Sequence, residues 1–442
     1  MTDATEGTGI VHASPPSGTA HGVPRTPAEA SMLSRGQAVR LGAAGLCLIA
    51  ACYGLARFAY GLFVPAFGAA FDLDAATTGA IASGSYGAYC LGILLATSLT
   101  PRWGARVVAT AAGILATLGT ALIALAPGAL VLAVGVMIAG SSTGVASPPL
   151  AHAIAHRVKP AARNSLQTVV NAGTGAGVMV SGPIALMAQD QWRLAWAAFA
   201  VLSAAVTVWI AVTVPSVREP GTQAQRPGTP ESSTPAGSDQ GGLSALGNLV
   251  KLPRGAVRLL AAAGVMGAAS AANWTFGQEL LSSAGGHGQV LSTVAWIVLG
   301  ACGLFGAAAG QLTDRFGIRP VWTGLMIILG GASGLLAVSP QHGAAALIAN
   351  GVFGGVYIAL TGLLLVWSTR IFEHEPAKGV GLAFLFIAIG QAAASPVLGG
   401  LADLSSLPAV FGLAAGLALA GSVLGPRRSR PREDSAGHGR QR

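Results

Sequence analysis

The residues best suited to chemistry in this chain are Tyr53, Arg57 and Tyr60, inside the segment YGLARFAYGLFVP (53–65). That segment belongs to an apolar run long enough to cross a bilayer, and a guanidinium does not shed its charge. Placing it at mid-bilayer costs roughly 2.5 to 3.5 kcal/mol even on mild insertion scales. At about 100° per residue, positions i, i+4 and i+7 share one helix face, so the three residues are expected to form a polar stripe facing a bundle interior or a wet cavity. Two uses of Arg57 stay open. Its planar fork suits a carboxylate or phosphate on a substrate, or it is a structural element that snorkels or pairs with a helix carbonyl or a carboxylate. Glu279 and Asp403, near the ends of other apolar runs, are the candidate partners.

The same spacing recurs at Gln167, Asn171 and Thr174, and at Asn350, Gly354, Tyr357 and Thr361. Tyr86, Tyr89, Asn273, Trp274, Gln278, Trp296 and Gln391 add phenol, amide and indole groups in further apolar runs, and all are candidates to line a substrate cavity. For any one of the polar side chains, an interhelical hydrogen bond worth about 0.6 kcal/mol is an equal alternative to substrate contact. Trp192, Trp322 and Trp367 lie near run ends and read as interfacial anchors, as do His152 and His156. If a proton is coupled to movement, Glu279 or Asp403 is the group to carry it, because burial raises a carboxylate's hold on its proton.

These residues need a membrane scaffold, and the composition supplies one. Of 442 residues, 52% are apolar and 9% charged, with mean hydropathy +0.63; a soluble domain carries about 25% charged residues. Runs of about 20 apolar residues, enough to span the hydrocarbon core, occur near 42–64, 78–100, 107–126, 129–152, 165–188, 193–214, 257–279, 289–311, 320–339, 343–368, 379–401 and 407–425. The chain is expected to be an all-α integral membrane protein of twelve transmembrane helices. Of its 25 Lys and Arg, all but Arg57 and Arg193 fall at the termini or in alternate loops. The positive-inside rule then puts both termini in the cytoplasm and makes the +9 charge a membrane signal rather than a nucleic-acid one. Few Lys beside abundant Arg, Ala and Gly suit a GC-rich bacterial genome, hence a bacterial inner (plasma) membrane.

Other chemistries lack their residues. Cys47, Cys52, Cys90 and Cys302 form no CxxC pair and have no His at ligand spacing, so neither a metal site nor a disulfide frame is expected. There is no GxxxxGK[ST] loop for ATP and no Ser/His/Asp set. Lys159, Lys251 and Lys378 all map near loops, away from any helix interior where a Schiff base would sit. No cofactor is expected, and no enzyme.

Residues 218–242, REPGTQAQRPGTPESSTPAGSDQGG, read as a flexible linker. The expected organisation is a disordered cytoplasmic tail (1–40), a six-helix bundle (41–214), a cytoplasmic linker (215–256), a second six-helix bundle (257–425) and a basic cytoplasmic tail (426–442). The bundles are repeats. TPRWGAR (100–106) and TDRFGIR (313–319) lie 213 positions apart, as do GVMVSGP (177–183) and GQAAASP (390–396). Two unrelated motifs sharing one offset argue for 6+6 pseudo-symmetry around a site near the midplane.

GQLTDRFGIRP (310–320) resembles the G-x-L-x-D-R-x-G-x-R signature loop of the major facilitator superfamily (MFS), in its eighth-to-ninth-helix copy. SGP (181–183) and SPVLGG (395–400) are similar to the Gly-Pro motifs of that family's fifth and eleventh helices, and GLARFAYGLFVP to the first helix of a bacterial branch labelled YbfB/YjiJ-like. The resemblance covers nearly the whole chain outside the tails and linker. It implies that helices 1, 2, 4, 5, 7, 8, 10 and 11 surround a central cavity, that the chain is a monomer, and that Gly182, Pro183 and Pro396 bend their helices. The loop residues Gly310, Asp314, Arg315, Gly317 and Arg319 are expected to act as a conformational latch, with Gly310 and Gly317 letting the loop turn tightly. The first copy of the loop departs from the signature, having Pro101 where the Asp would stand. The expected function is secondary active transport of a small organic, anionic or amphipathic, solute by rocker-type alternating access, with proton coupling open. A proton-driven multidrug or metabolite efflux antiporter, and a non-transporting membrane sensor, are the alternatives.

Overall fold

The computed structural model describes residues 32–188, 191–215, 252–306, 309–373 and 375–426. The expected linker and basic tail therefore lie largely outside the described residues. The chain opens with α1 (Arg35–Phe71), α2 (Ala75–Trp103), α3 (Ala105–Ala124), α4 (Ala129–Arg157), α5 (Pro160–Ala188) and α6 (Trp192–Thr213). After the linker come α7 (Ala256–Ala284), α8 (Gln289–Phe305), α9 (Ile318–Val338), α10 (Gly343–Ile371), α11 (Pro376–Leu404) and α12 (Leu407–Gly421). Eleven of these helices are long and apolar enough to cross a membrane. The shorter α8, 17 residues, is followed beyond residues 307–308 by a helix over Ala309–Phe316. α1 starts six residues before the expected boundary, because Ser34 and Gln37 cap it reciprocally: Ser34 N donates to Gln37 Oε1 at 3.0 Å, and Gln37 N donates to Ser34 Oγ at 3.3 Å.

The 213-residue repeat is visible in the backbone. Gly104, between α2 and α3, and Gly317, just before α9, both adopt positive φ (85° and 82°), which suits glycine. Cross-chain bonds define two ends of the bundle. At the terminal end, Leu33 N donates to Arg157 O, Arg106 Nε to Val214 O, and Arg258 Nε to Gly425 O. At the distal end, Arg193 donates to Ala126 O and His287 Nε2 lies 2.9 Å from Pro340 O.

Glycine lets helices within each half touch. A Cβ on Gly54 of α1 would strike the Gly177 backbone of α5, and one on Gly177 would strike Ala50. The repeat-related pair, Gly267 of α7 and Gly390 of α11, has the same need: their Cβ atoms would strike Ile387 O and Gly264 O. Exposed Leu91, Leu94, Leu118, Val201 and Val208 face outward, where lipid rather than water is the natural solvent. Trp192, Trp322 and Trp367, expected as interfacial anchors, are buried against neighbouring helices. Trp322 is fully enclosed and donates Nε1 to Gly421 O, and Trp192 packs edge-on to Phe67.

α1 holds a nine-residue π-helical segment, Ala50–Phe58, that contains Arg57. Its carbonyls are drawn off the normal ladder, and Thr143 Oγ1 of α4 donates to Cys52 O at 3.1 Å. Tyr53 and Arg57 fall inside this segment and Tyr60 two residues beyond it, so the stripe is laid out partly on a wider turn than the 100° step assumes.

Candidate functional site

Each residue of the stripe has its own hydrogen-bond partner. Tyr53 pairs its hydroxyl with Ser147 of α4 at 3.0 Å, and Tyr60 donates to Thr78 O of α2 at 3.0 Å. Arg57 turns toward the other half of the molecule. It is 7% exposed, and its NH2 donates to Gln391 Oε1 of α11 at 2.7 Å. Rings box the guanidinium, with Tyr89 at 4.6 Å, Tyr86 at 4.7 Å and Phe58 at 5.0 Å from its carbon. Each such contact is worth about 0.5 to 2 kcal/mol, so the box offsets part of the burial cost without neutralising the charge.

Neither carboxylate considered for Arg57 reaches it. Asp403 is engaged at the distal end, accepting from Ala75 N at 3.1 Å and Ala76 N at 2.8 Å at the start of α2. Glu279 takes no ion pair among the described residues, where Lys378–Glu375 is the pair found. Arg57 Nε is buried with no hydrogen-bond partner.

Around the arginine the predicted residues assemble unevenly. Gln391, fully buried, donates Nε2 toward Ser270 Oγ (3.3 Å) and Tyr357 OH (3.4 Å). Trp274 stacks on Phe58 at 3.8 Å and meets Tyr357 and Trp296 edge-on. Asn273 instead accepts from Ser333 of α9, while its Nδ2 and the Gln278 Nε2 are buried without partners. Gln167 and Asn171 are half-buried and bonded to each other at 3.3 Å, with no bond to the arginine cluster. Asn350 caps back onto Ala346 O. Phe58, Ser270 and Ser147 are members of the cluster that spacing did not single out, because a π-helix and long-range pairing are not written in local periodicity.

The cavity bounded by Arg57, Phe58, Tyr60, Tyr86 and Trp274 is only about 10 Å³, room for roughly one water. A larger vestibule of about 350 Å³ opens at the distal end, lined by Pro65, Thr78, Phe276, Glu279 and Asp403. The halves are knit together between these two spaces. Pro396 has no N–H to offer Ala392 O, and Ser83 Oγ of α2 supplies the missing donor at 2.7 Å. Trp296 of α8, 213 positions from Ser83, makes the matching link by donating to Ser181 Oγ of α5 at 3.0 Å. Gly182, beside Pro183 within α5, lets α8 approach, since a Cβ there would strike Ile297. Gly79 and Gly399 do the same for α2 and α11.

The signature loop is partly described. Gly317 takes the expected turn, and Gly317 N donates to Thr313 O at 2.9 Å. Gly310 lies inside the helix Ala309–Phe316 rather than at a turn. Arg315 and Arg319 are exposed, Arg315 over the Phe316 ring at 5.3 Å. The Asp314 side chain lies outside the described residues.

Among the described residues, twelve long helices in two repeats beside the short helix Ala309–Phe316, with polar side chains gathered where the repeats meet, make the architecture of a membrane transporter. The model of the Major Facilitator Superfamily matches residues 46–277, over half of the chain, and the chain belongs to that superfamily. It is accordingly a secondary transporter, not an enzyme, with a small-molecule substrate and a lipid surround. No curated protein matches its sequence. Among solved structures it is similar to the nucleoside transporter NupG (TM-score 0.64) and to a point mutant of that transporter (TM-score 0.67). Each likeness has 14% identity and covers 88% of this chain and 98% of the other, which speaks to fold alone.

Proposed function

We propose that this transporter carries a small organic anion by alternating access, with Arg57 as its anion-binding group. The supporting observation is a buried guanidinium that has rings and one amide oxygen for company, and no carboxylate among the described residues. A fixed cation held this way lacks the counter-charge that a carboxylate or phosphate would bring. The aromatic surroundings favour an anion attached to a flat, apolar body. With the termini in the cytoplasm of a bacterial cell, as the Lys and Arg distribution favours, the distal end, with its vestibule and the Asp403 tie to α2, faces outward. The tight centre then belongs to a state that must loosen before solute enters. The engagement of Asp403 with α2, and the open position of Glu279 in the vestibule, favour Glu279 over Asp403 as the carrier of any coupled proton.

The test is reconstitution in liposomes with a panel of small anionic and neutral solutes, with and without an imposed pH gradient. Uptake of an anion by the parent, lost in Arg57→Ala and scarcely recovered in Arg57→Lys, is the expected result. Equal transport by all three proteins sinks the role of Arg57, and binding without flux under any gradient favours the sensor.

A further inference from the structure

Gln391 occupies an unusual place. Its side chain belongs to α11 of the second half, yet its oxygen sits on Arg57 of the first half. Its nitrogen reaches back to Ser270 of α7. Arg57 and Ser270 are themselves repeat-related, 213 positions apart, so one carboxamide bridges the same position of both halves. The repeat-related position of Gln391 is Val178, which cannot make the reciprocal bridge. The Arg57–Gln391 bond therefore has no repeat-related counterpart.

Its chemistry is that of a stand-in. A carboxamide oxygen presents an sp² lone pair to a guanidinium much as a carboxylate does, but without the charge. At 2.7 Å the amide satisfies one prong of the fork, while Nε has nothing. An anion with two oxygens would satisfy both and add the Coulombic term in a site shielded from water. We infer that Gln391 is a placeholder: its oxygen keeps the anion's position on Arg57 until substrate takes it, and the exchange undoes the one bond by which Arg57 ties the halves together. The inference rests on the proposed role of Arg57 and adds how binding is passed to the moving halves. Gln391 then acts as a positioning residue, lowering affinity in the resting state and holding Arg57 to the second half until substrate arrives.

The test uses the full-length protein in detergent, with benzoate as a carboxylate on a flat ring, benzamide as its neutral counterpart, and calorimetric titration. Gln391→Leu keeps bulk and removes the competing oxygen, so benzoate should bind about three- to tenfold more tightly, since the fraction of competent sites rises. Its transport rate should fall, because binding no longer breaks a tie. Gln391→Glu places a permanent anion on Arg57, and benzoate binding should weaken by more than about a hundredfold, as for an occupied ion-pair site. Gln391→Asn, too short to reach, should likewise bind benzoate more tightly than the parent, and it carries the test if Gln391→Leu folds poorly. Weaker benzoate binding in both Gln391→Leu and Gln391→Asn would make the amide an ordinary substrate contact and overturn the inference. So would parental affinity in Gln391→Glu. A parent that binds no benzoate and no other anion of the panel overturns the anion reading of Arg57, and this inference with it. A parent that binds, with binding lost in Arg57→Ala and unchanged in every Gln391 variant, overturns the inference alone.

Discussion

At the scale of single residues, Arg57 tests its own purpose through stability. A structural arginine should cost stability when removed. One kept for a ligand should release it, because the resting protein bears roughly 2.5 to 3.5 kcal/mol of burial cost that the ring box and one amide only partly offset. Arg57→Met, similar in length and uncharged, should therefore melt at the parent's temperature or a few degrees higher while losing anion-dependent uptake. A clear fall in melting temperature would favour the structural reading. Arg57, its phenols Tyr86 and Tyr89, and Gln391 stood out in the sequence as polar groups in apolar runs. What the sequence did not carry was their pairing. Glu279 and Asp403 looked like counter-ions because an unpaired buried cation is costly, and the fold instead meets that cost with aromatic faces and an amide.

At the scale of helices, the legible features were those with a local signature. The twelve runs are visible from composition, and the turn at Gly317 from its motif. The π-helical segment of α1 has no such signature, since its wide turns depend on contacts made by other helices: Gly54 against Gly177, and the Thr143 hydroxyl on Cys52 O. Both contacts need small or hydroxylated residues far away in the sequence. Gly54→Ala would push α1 off the α5 backbone and should lower stability by about 1 to 3 kcal/mol, the usual cost of overpacking, read as an earlier thermal transition. An Ala at exposed Gly36, where a Cβ meets nothing, is the control and should leave the transition in place.

At the scale of the whole molecule, the repeat was readable because two motifs share an offset, and the backbone carries that offset into matched turns at Gly104 and Gly317. The state of the molecule was not readable, because closure depends on pairings between halves. Asp403 is one of these, a carboxylate of α11 seated on the first amides of α2, where the helix dipole favours negative charge. Asp403→Asn loses that charge and should loosen the distal end. With the four native cysteines replaced and spin labels at Met187→Cys and Val290→Cys, on α5 and α8, the measured distance distribution should broaden toward longer values. An unchanged distribution would mean that Asp403 caps α2 without holding the gate.

The same contact has a consequence in time. The amides of Ala75 and Ala76 are tied to Asp403 of the other half rather than to their own helix, so they can exchange with heavy water only when that tie is released. Their slowing relative to a free amide therefore counts how seldom the two halves part at this end. A hundredfold slowing corresponds to about one part in a hundred spent open. Two backbone hydrogens at the start of α2 thus serve as a built-in clock for the parting of the halves at the distal end, readable without any substrate at all.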